Sequence, residues 1–261
     1  MNYVDIHCHL DFKDYDSDRE EVLARMKDDG VGAITIGADL ESSKRTVEIA
    51  EANENIWACI GVHPDEIKNG FNEKEFEKLV TNPRVVGIGE CGLDYFRLNP
   101  AFAKATADKQ KELFESQIRF AIKHDKPLML HCRDSYDDVL DILLNYKKEA
   151  GDKLRGNVHF FAGNTGVAKK FLDLGFTMSF TGVITFTHDY DEVIKYIPQN
   201  SIMSETDAPF VAPVPFRGKR NEPAYVIEVV KKLAEIRGED PNILNNSILE
   251  NFKRIFQIIG Q

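Results

Sequence analysis

The sequence lacks three features that would each assign it at once to a class of protein. It has no apolar run long enough to cross a bilayer and no basic-then-apolar leader at Met1-Asn2-Tyr3, so we expect a soluble, unexported protein without a membrane partner. Its four cysteines form no C-x-x-C pair, which disfavours disulfides and zinc clusters and favours reduced thiols in the cytoplasm. No G-x-G-x-x-G turn follows the first apolar run, as a dinucleotide-binding open sheet would need.

Positive charge is also scarce in this chain. Its 261 residues include 33 Lys and Arg against 43 Asp and Glu, which gives a net charge of −10 at pH 7. Proteins that bind nucleic acid over a long footprint usually carry a basic surface, so the composition argues against extended contact with a duplex. The one compact basic stretch is Arg217-Gly-Lys219-Arg220, which predicts contact with one or two phosphates at most.

The sequence does contain a regular alternation of short apolar runs with longer segments of helical periodicity. The runs are continuous in hydrophobicity, which is typical of strands buried on both faces of a parallel sheet. They lie at 3–8, 31–37, 56–62, 85–90, 127–132, 157–161, 176–180 and 201–204. Eight such strands alternating with helices predict an α/β protein, a single (β/α)8 barrel of the TIM type spanning residues 1–261. A doubly wound open sheet is the alternative.

Two helix starts carry capping signals. Ser17 and Glu20 match a capping box before an apolar stripe, which predicts a helix beginning there. Asp240 and Pro241 match the pattern in which an acidic cap precedes proline at the first helical position.

Ionisable residues gather where the predicted strands end. The C-terminal ends of barrel strands form one rim, which holds the chemistry of such enzymes, so these side chains would face each other. Five of the seven histidines fall at such ends, and a packed barrel has no structural need for so many ionisable groups there; His124 and His188 are assigned no role. The rim residues are His7, His9, His63, Glu90, Asp94, His131, Arg133, His159, Glu205 and Asp207.

The types of these residues predict a centre with two metal ions. Histidine and carboxylate without thiolate suit Zn, Mn, Mg, Co or Ni, and do not distinguish among the five. Six ligands are too many for one tetrahedral ion, so we expect two divalent cations bridged by the carboxylate of Glu90. The remaining ligands would be His7, His9 and Asp207 for one ion and His131 and His159 for the other.

The motifs around these residues together resemble the TatD family of metal-dependent hydrolases, a branch of the amidohydrolase-like barrels. They are DIHCHLD, GVHP, GIGECGLDY, LHCRDS, HFFAG, SETDAPFVAP and RGKRNEP, in family order over nearly the whole chain. The resemblance implies the same six ligands and a deoxyribonuclease that removes nucleotides from a 3′ end of single-stranded DNA or a short oligonucleotide. It also implies a substrate site lined by His63, Arg133 and Glu205.

Three positions depart from the family pattern. Ile6 stands where the family usually has Ser or Thr, and Phe160 and Ala162 replace a Cys and a hydroxyl residue in the sixth-strand motif. The departures leave the ligands intact and bear on substrate and rate. Related barrels hold their metals with other residues. Phosphotriesterase-like and lactonase-like members bridge two metals with a carbamylated lysine on the fourth strand, but no lysine lies in Val85–Leu93. The H-A-G-E motif of deaminase-like members is also absent.

The favoured hypothesis is a phosphodiesterase. Asp207 would hold the attacking water and take its proton, and His63 would position the phosphate or protonate the leaving oxygen. Glu205 would orient a metal ligand. Arg133 would clamp a phosphate oxygen, unless it forms a rim salt bridge with Asp134 or Asp137. Further substrate contacts are expected from Arg217, Lys219 and Arg220.

Two other functions fit the same residues. The metal site would equally serve a small ester, amide or aminoacyl substrate, by polarising its carbonyl. The third hypothesis is a non-catalytic binding module with a regulatory metal site. It is disfavoured because a complete, open two-metal site would have no use in such a module.

Overall fold

The computed structural model of the chain describes residues 1–96, 98 and 101–258, in which eight strands alternate with helices. The strands are β1 (Tyr3–Cys8), β2 (Val31–Ile36), β3 (Ile56–Ile60), β4 (Val85–Asp94), β5 (Leu128–Arg133), β6 (Gly156–Val158), β7 (Phe176–Phe180) and β8 (Ile202–Ser204). The helices are α1 (Arg19–Asp28), α2 (Leu40–Ala52), α3 (Glu73–Val80), α4 (Ala103–Lys123), α5 (Tyr136–Ala150), α6 (Thr165–Asp173), α7 (Asp191–Tyr196), α8 (Val226–Arg237) and α9 (Pro241–Phe256). No helix among the described residues combines the length and apolarity that crossing a bilayer requires.

The strands form one parallel sheet in sequence order from β1 to β8, with each strand beside the next. The two edges meet just past the ends of β1 and β8. There the backbone N–H of Asp207 donates to the carbonyl of His7 at 2.9 Å, and that of His9 donates to the carbonyl of Ala208 at 2.8 Å. The sheet is therefore a nearly closed barrel, and the predicted (β/α)8 architecture is confirmed.

The strands are buried on both faces, as continuous hydrophobicity predicts. Every residue of β2, β3, β4, β6, β7 and β8 is buried, because helices cover the outside and side chains fill the interior. Polar residues inside the barrel are paired: Asn157 Nδ2 donates to Ser179 Oγ at 2.7 Å, and Thr177 Oγ1 donates to Asn157 Oδ1 at 2.9 Å. All four cysteines are buried and free.

Some predicted boundaries are wrong. Strand β4 continues past residue 90 to Asp94, because its far half pairs with β5 after a register shift between Ile88 and Cys91. Strand β6 ends early, at Val158. The Asp240 cap is confirmed, since its carboxylate accepts the first backbone N–H groups of α9.

The predicted capping box at Ser17 and Glu20 is also wrong. Helix α1 begins at Arg19 after Asp18, which makes no side-chain capping bond. The Asp18 carboxylate instead accepts two hydrogen bonds from Arg220, at 2.7 and 2.6 Å. A charge-assisted pair made across the fold therefore replaces the local cap.

Helix α9 is fixed by aromatic packing against the barrel. Phe252 is fully buried, and its ring lies 5.1 Å from that of Trp57 and 5.9 Å from that of Phe256. This contact packs α9 against β3, which comes much earlier in the chain.

We expect Phe252→Ala to lower the free energy of unfolding by about 3–5 kcal/mol, since it empties a packed aromatic site. Ile243→Ala on the same helix removes a side chain of a residue that is 60% exposed, and should change stability by no more than ~0.5 kcal/mol. Urea unfolding followed by circular dichroism measures both. Equal losses in the two variants would show that Phe252 does not anchor α9.

Candidate metal centre

Glu90 lies at the centre of the rim, among the histidines that the sequence singled out. Its Oε1 is 2.8 Å from His131 Nδ1 and 2.9 Å from His159 Nε2. Its Oε2 faces the other way, 3.7 Å from His7 Nε2 and 3.8 Å from His9 Nε2. The carboxylate thus presents one oxygen to each pair of histidines, as a bridging ligand would.

Asp207 completes the group around His7 and His9. Its Oδ1 lies 3.8 Å from His7 Nε2 and 3.6 Å from His9 Nε2. Two ligands held at about 2.1 Å from one tetrahedral ion are about 3.4 Å apart, which is close to these separations. Both ring nitrogens of His7 are buried without a hydrogen-bond partner among the described residues. A buried imidazole without partners between two carboxylates fits a divalent cation.

The remaining candidate ligands also converge. Within each of three groups, the nitrogen and oxygen atoms lie within 4.8 Å of one another. The groups are His7, His9 and Asp207; His7, His159 and Glu205; and His63, Glu90 and His131. The structure therefore brings all six residues predicted as ligands into one cluster.

Hydrogen bonds orient two of the ligand histidines. His9 Nδ1 lies 3.1 Å from the carbonyl of Ile36, to which it donates, so Nε2 offers its lone pair to the site. His131 Nε2 donates to Asp94 Oδ2 at 3.0 Å, which turns Nδ1 toward Glu90. A carboxylate behind a histidine ligand fixes the tautomer and strengthens the ligand.

Glu205 supports His159 from behind. It is fully buried, and its Oε1 lies 3.5 Å from His159 Nδ1 and accepts the backbone N–H of Phe160 at 2.7 Å. Its Oε2 accepts a hydrogen bond from the Ser179 hydroxyl. These contacts occupy the carboxylate, so the geometry gives Glu205 a positioning role beneath the centre.

The departures from the family pattern leave this arrangement intact. The hydrogen bonds of Phe160 and Ala162 are made by the backbone: Phe160 donates to Glu205, and Ala162 donates to the hydroxyl of Tyr136 at 2.9 Å. The Phe160 ring itself lies 6.4 Å from that of His159, at an interplanar angle of 76°. Ile6 is fully buried in the hydrophobic core. The hydrogen bonds at Phe160 and Ala162 therefore do not depend on the side chains that depart from the family pattern.

The electrostatics keep both carboxylates of the centre ionised. Burial raises the pKa of Glu90, but the imidazoles of His159, His63 and His131 outweigh it and hold the pKa well below its usual range. Burial likewise raises the pKa of Asp207, and the histidines that face it lower the pKa by more. The result is a pair of anions suited to cations.

His63 is oriented as a hydrogen-bond donor. Its Nδ1 accepts the backbone N–H of Asp65 at 3.0 Å, and its Nε2 lies 3.6 Å from Glu90 Oε1. Burial lowers the pKa of His63 to about 4, so the ring is neutral at pH 7. A neutral imidazole that accepts at Nδ1 carries its proton at Nε2, which points that N–H into the site.

Arg133 lies exposed at the end of β5. Its guanidinium stacks over the ring of Phe96, 3.8 Å from the centroid. Among the described residues it forms no salt bridge with Asp134 or Asp137, so its donors are free to contact a substrate. Stacking on an aromatic face fixes the plane of the guanidinium while leaving its N–H edge open.

The basic stretch after β8 divides into two parts. Arg217 and Lys219 are exposed, and the guanidinium of Arg217 lies 3.5 Å from the centroid of the Phe186 ring. Arg220 is instead bound by two hydrogen bonds to Asp18 and lies 3.3 Å from Glu222. The charge of Arg220 is thus paired within the protein, where it holds the loop.

Two glutamines of α4 were missed as site residues by the sequence analysis. Gln117 bonds both the N–H and the carbonyl of Val62, at 2.8 and 2.9 Å, and Gln110 bonds both backbone groups of Asp94 at 3.0 Å. Their spacing of seven residues places them on one face, two turns apart. They fix the segments that carry His63 and Asp94. The sequence offered one signal for these residues: an amide side chain lies within the apolar stripe of this helix.

Comparison with known proteins agrees with the geometry. A family model described as TatD related DNase matches residues 4–257. The chain is 38% identical to an uncharacterized metal-dependent hydrolase, YabD of Bacillus subtilis (strain 168), over 97% of this chain and 98% of that protein. It is 32% identical to the 3'-5' ssDNA/RNA exonuclease TatD of Pectobacterium parmentieri, over 97% and 99% of the two chains.

A solved structure matches over the full barrel. The crystal structure of YJJV, a TatD homologue from Escherichia coli K12, superposes with a TM-score of 0.89 at 27% identity, covering 99% of each chain. The shared fold, the cluster of histidines and carboxylates and the family match agree with one another. The chain belongs to the TatD family of metal-dependent hydrolases.

Proposed function

We propose that the protein is a two-metal 3′–5′ exonuclease that acts on single-stranded DNA ends and short oligonucleotides. The observation that carries the proposal is the Glu90 carboxylate, which presents one oxygen to each of two histidine pairs. Two metals side by side suit in-line displacement at a phosphodiester. The choice of nucleic acid is supported by the family description and by the relative named as a 3'-5' ssDNA/RNA exonuclease.

The ligand set divides around Glu90. One cation would be held by His7, His9, Asp207 and Glu90 Oε2, and the other by His131, His159 and Glu90 Oε1. Such nitrogen and oxygen donors accept Zn, Mn, Mg, Co or Ni. His63 stays outside the set, because its Nε2 carries a proton.

The protein side chains then share the reaction. Divalent cations bound here supply a water of lowered pKa and neutralise phosphate charge. Asp207 is ionised, so it can accept the proton of the attacking water. The Nε2–H of His63 donates to the phosphate or the leaving oxygen, and the open edge of Arg133 donates to a non-bridging oxygen.

Net charge restricts the substrate. A chain of net charge −10 repels a long polyanion, so attraction is confined to the cations at the rim and to exposed Arg217 and Lys219. A strand end that threads into the rim meets these charges with few phosphates on the acidic surface. We further propose that the protein acts in the cytoplasm, because its four cysteines are free thiols.

The central prediction concerns the substrate class. The metal-loaded protein should shorten a 5′-labelled single strand from its 3′ end, leave a blunt duplex largely intact, and stop when EDTA removes the metal. Gel analysis of 5′- and 3′-labelled strands, beside a p-nitrophenyl ester, measures this. Hydrolysis of the ester with intact oligonucleotides would refute the nuclease proposal and favour the small-substrate alternative.

A second prediction concerns the bridge. Glu90→Gln should lose most of both bound ions after desalting, because a neutral amide bridges two cations poorly. Asp94→Asn, which removes the carboxylate behind His131, should weaken binding of one ion by about 10- to 100-fold. Elemental analysis of the desalted proteins measures both, with Glu112→Gln at an exposed position of α4 as the matched control. Full occupancy by two ions in Glu90→Gln would exclude the bridging role.

A third prediction concerns the basic loop. Arg217→Ala with Lys219→Ala should raise KM for a short single strand and reduce the salt slope by at most about two. Lys231→Ala with Lys232→Ala removes the same charge from α8 and should not change KM. The measurement is KM against salt concentration. Superimposable curves for the loop variant and the parent protein would mean that the loop does not contact phosphate.

A further inference from the structure

An exposed phenyl ring beside the metal centre has no part in the chemistry described above. Phe210 is 50% exposed, although it follows the ligand Asp207 by only three residues. Its N–H donates to the carbonyl of Asp207 at 2.9 Å, and its own carbonyl accepts from Asn221 Nδ2 at 2.6 Å. The backbone thus holds the ring at a fixed place relative to the centre.

Phe210 belongs to a short series of aromatic contacts that leads to a metal ligand. Its ring lies 5.9 Å from that of Phe12 at an interplanar angle of 82°, and Phe12 stacks on His9 at 4.6 Å and 26°. Phe210 itself is 6.5 Å from the His9 ring. We call Phe12 and Phe210 the aromatic corner. A perpendicular contact between two rings supports Phe210 and covers at most one of its two faces.

Phe210 differs from the other exposed aromatic residues of this rim. The ring of Phe96 is covered by Arg133 and that of Phe186 by Arg217. Among the described residues, no guanidinium lies over Phe210. Phe102, just before α4, is 67% exposed and likewise has no guanidinium over it, but among the described residues no ring contact joins it to one of the site histidines, as Phe210 is joined to His9.

The space around the corner suits a polymer. Phe12 also lines a cavity of about 590 Å³ whose walls carry charges of both signs: Lys13, Arg19 and Arg45 lie beside Asp11, Asp14, Asp16 and Glu48. Arg19 and Arg45 are paired with Asp16 and Asp11, so the cavity offers length and width and no excess of positive charge. A small ester would leave such a space unfilled. A strand of nucleotides has the length to extend into it.

We propose that Phe210, supported by Phe12, is the surface on which a nucleobase next to the scissile phosphate stacks. This inference rests on the proposed nuclease function and names a subsite for it. Every nucleobase has a π face, so stacking holds a strand end of any sequence. Stacking also supplies affinity that does not depend on positive charge, which an acidic protein has in short supply at its surface.

The test compares two oligonucleotides that differ only in the bases at the 3′ end, one ordinary and one with abasic sites there. Phe210→Ala should raise KM for the ordinary strand about 10-fold, with kcat and metal content unchanged. On the abasic strand, KM should already be high for the parent protein, and Phe210→Ala should add nothing. Phe210→Trp should retain the parent's preference, since it keeps a π face.

Tyr196→Ala is the matched control, since it removes an aromatic residue that is 44% exposed at the end of α7. It should behave as the parent protein on both strands. An equal rise of KM on both strands in Phe210→Ala, or a loss of bound metal, would show that the ring only positions Asp207, and would overturn the proposal.

Direct binding separates this proposal from the nuclease proposal. Fluorescence anisotropy in EDTA measures the affinity of both labelled strands without cleavage. A parent protein that prefers the ordinary strand, with the preference lost in Phe210→Ala, supports the subsite even where no strand is cut. Equal affinity of the parent protein for the two strands refutes it, whatever the cleavage assay shows.

Discussion

The buried carboxylate of Glu90 is the group on which the rest of the site depends. A charge that is only 5% exposed is costly unless polar or positive groups surround it, and here the surrounding groups are imidazoles from β1, β5 and the segments after β3 and β6. Two of these imidazoles meet a carboxylate on the side away from Glu90: His131 donates to Asp94, and His159 lies against Glu205. The barrel thus brings several chain segments to the two oxygens of one carboxylate. Divalent cations bound there would supply the positive charge that stabilises this buried anion.

Strand β4 must be irregular to present that carboxylate. The register with β5 shifts between Ile88 and Cys91, and Gly92 adopts a φ of 141°, which side chains rarely allow. A Cβ at Gly92 would collide with the carbonyl oxygen of His131, the neighbouring ligand residue. Gly92, the second glycine of G-E-C-G, therefore lets β4 and β5 lie close together. The motif that carries the candidate ligand Glu90 is thus also required by the packing of these two strands.

The fold and the clustering of the candidate ligands were predictable because both follow from short-range regularities. Continuous apolar runs give buried parallel strands, and the rim rule then places His131, His159 and Asp207 together without any knowledge of distances. The errors arose where distant residues override a local pattern. Asp18 bonds Arg220, 202 positions away, where a local cap was predicted, and Gln117 bonds Val62, 55 positions away, from within an apolar stripe. A single sequence shows neither partner.

The acidity of the chain and the aromatic corner point to one mode of recognition. An acidic surface cannot hold a long polyanion by charge, so binding has to be concentrated where cations and rings coincide. At the rim that place lies at His9, a candidate metal ligand, and the exposed ring of Phe210. A base that stacks there brings its own phosphate beside the centre, whereas a paired base in a duplex has no free face to offer. With the proposed subsite, selection for single strands would follow from the geometry of stacking, without any contact that reads sequence.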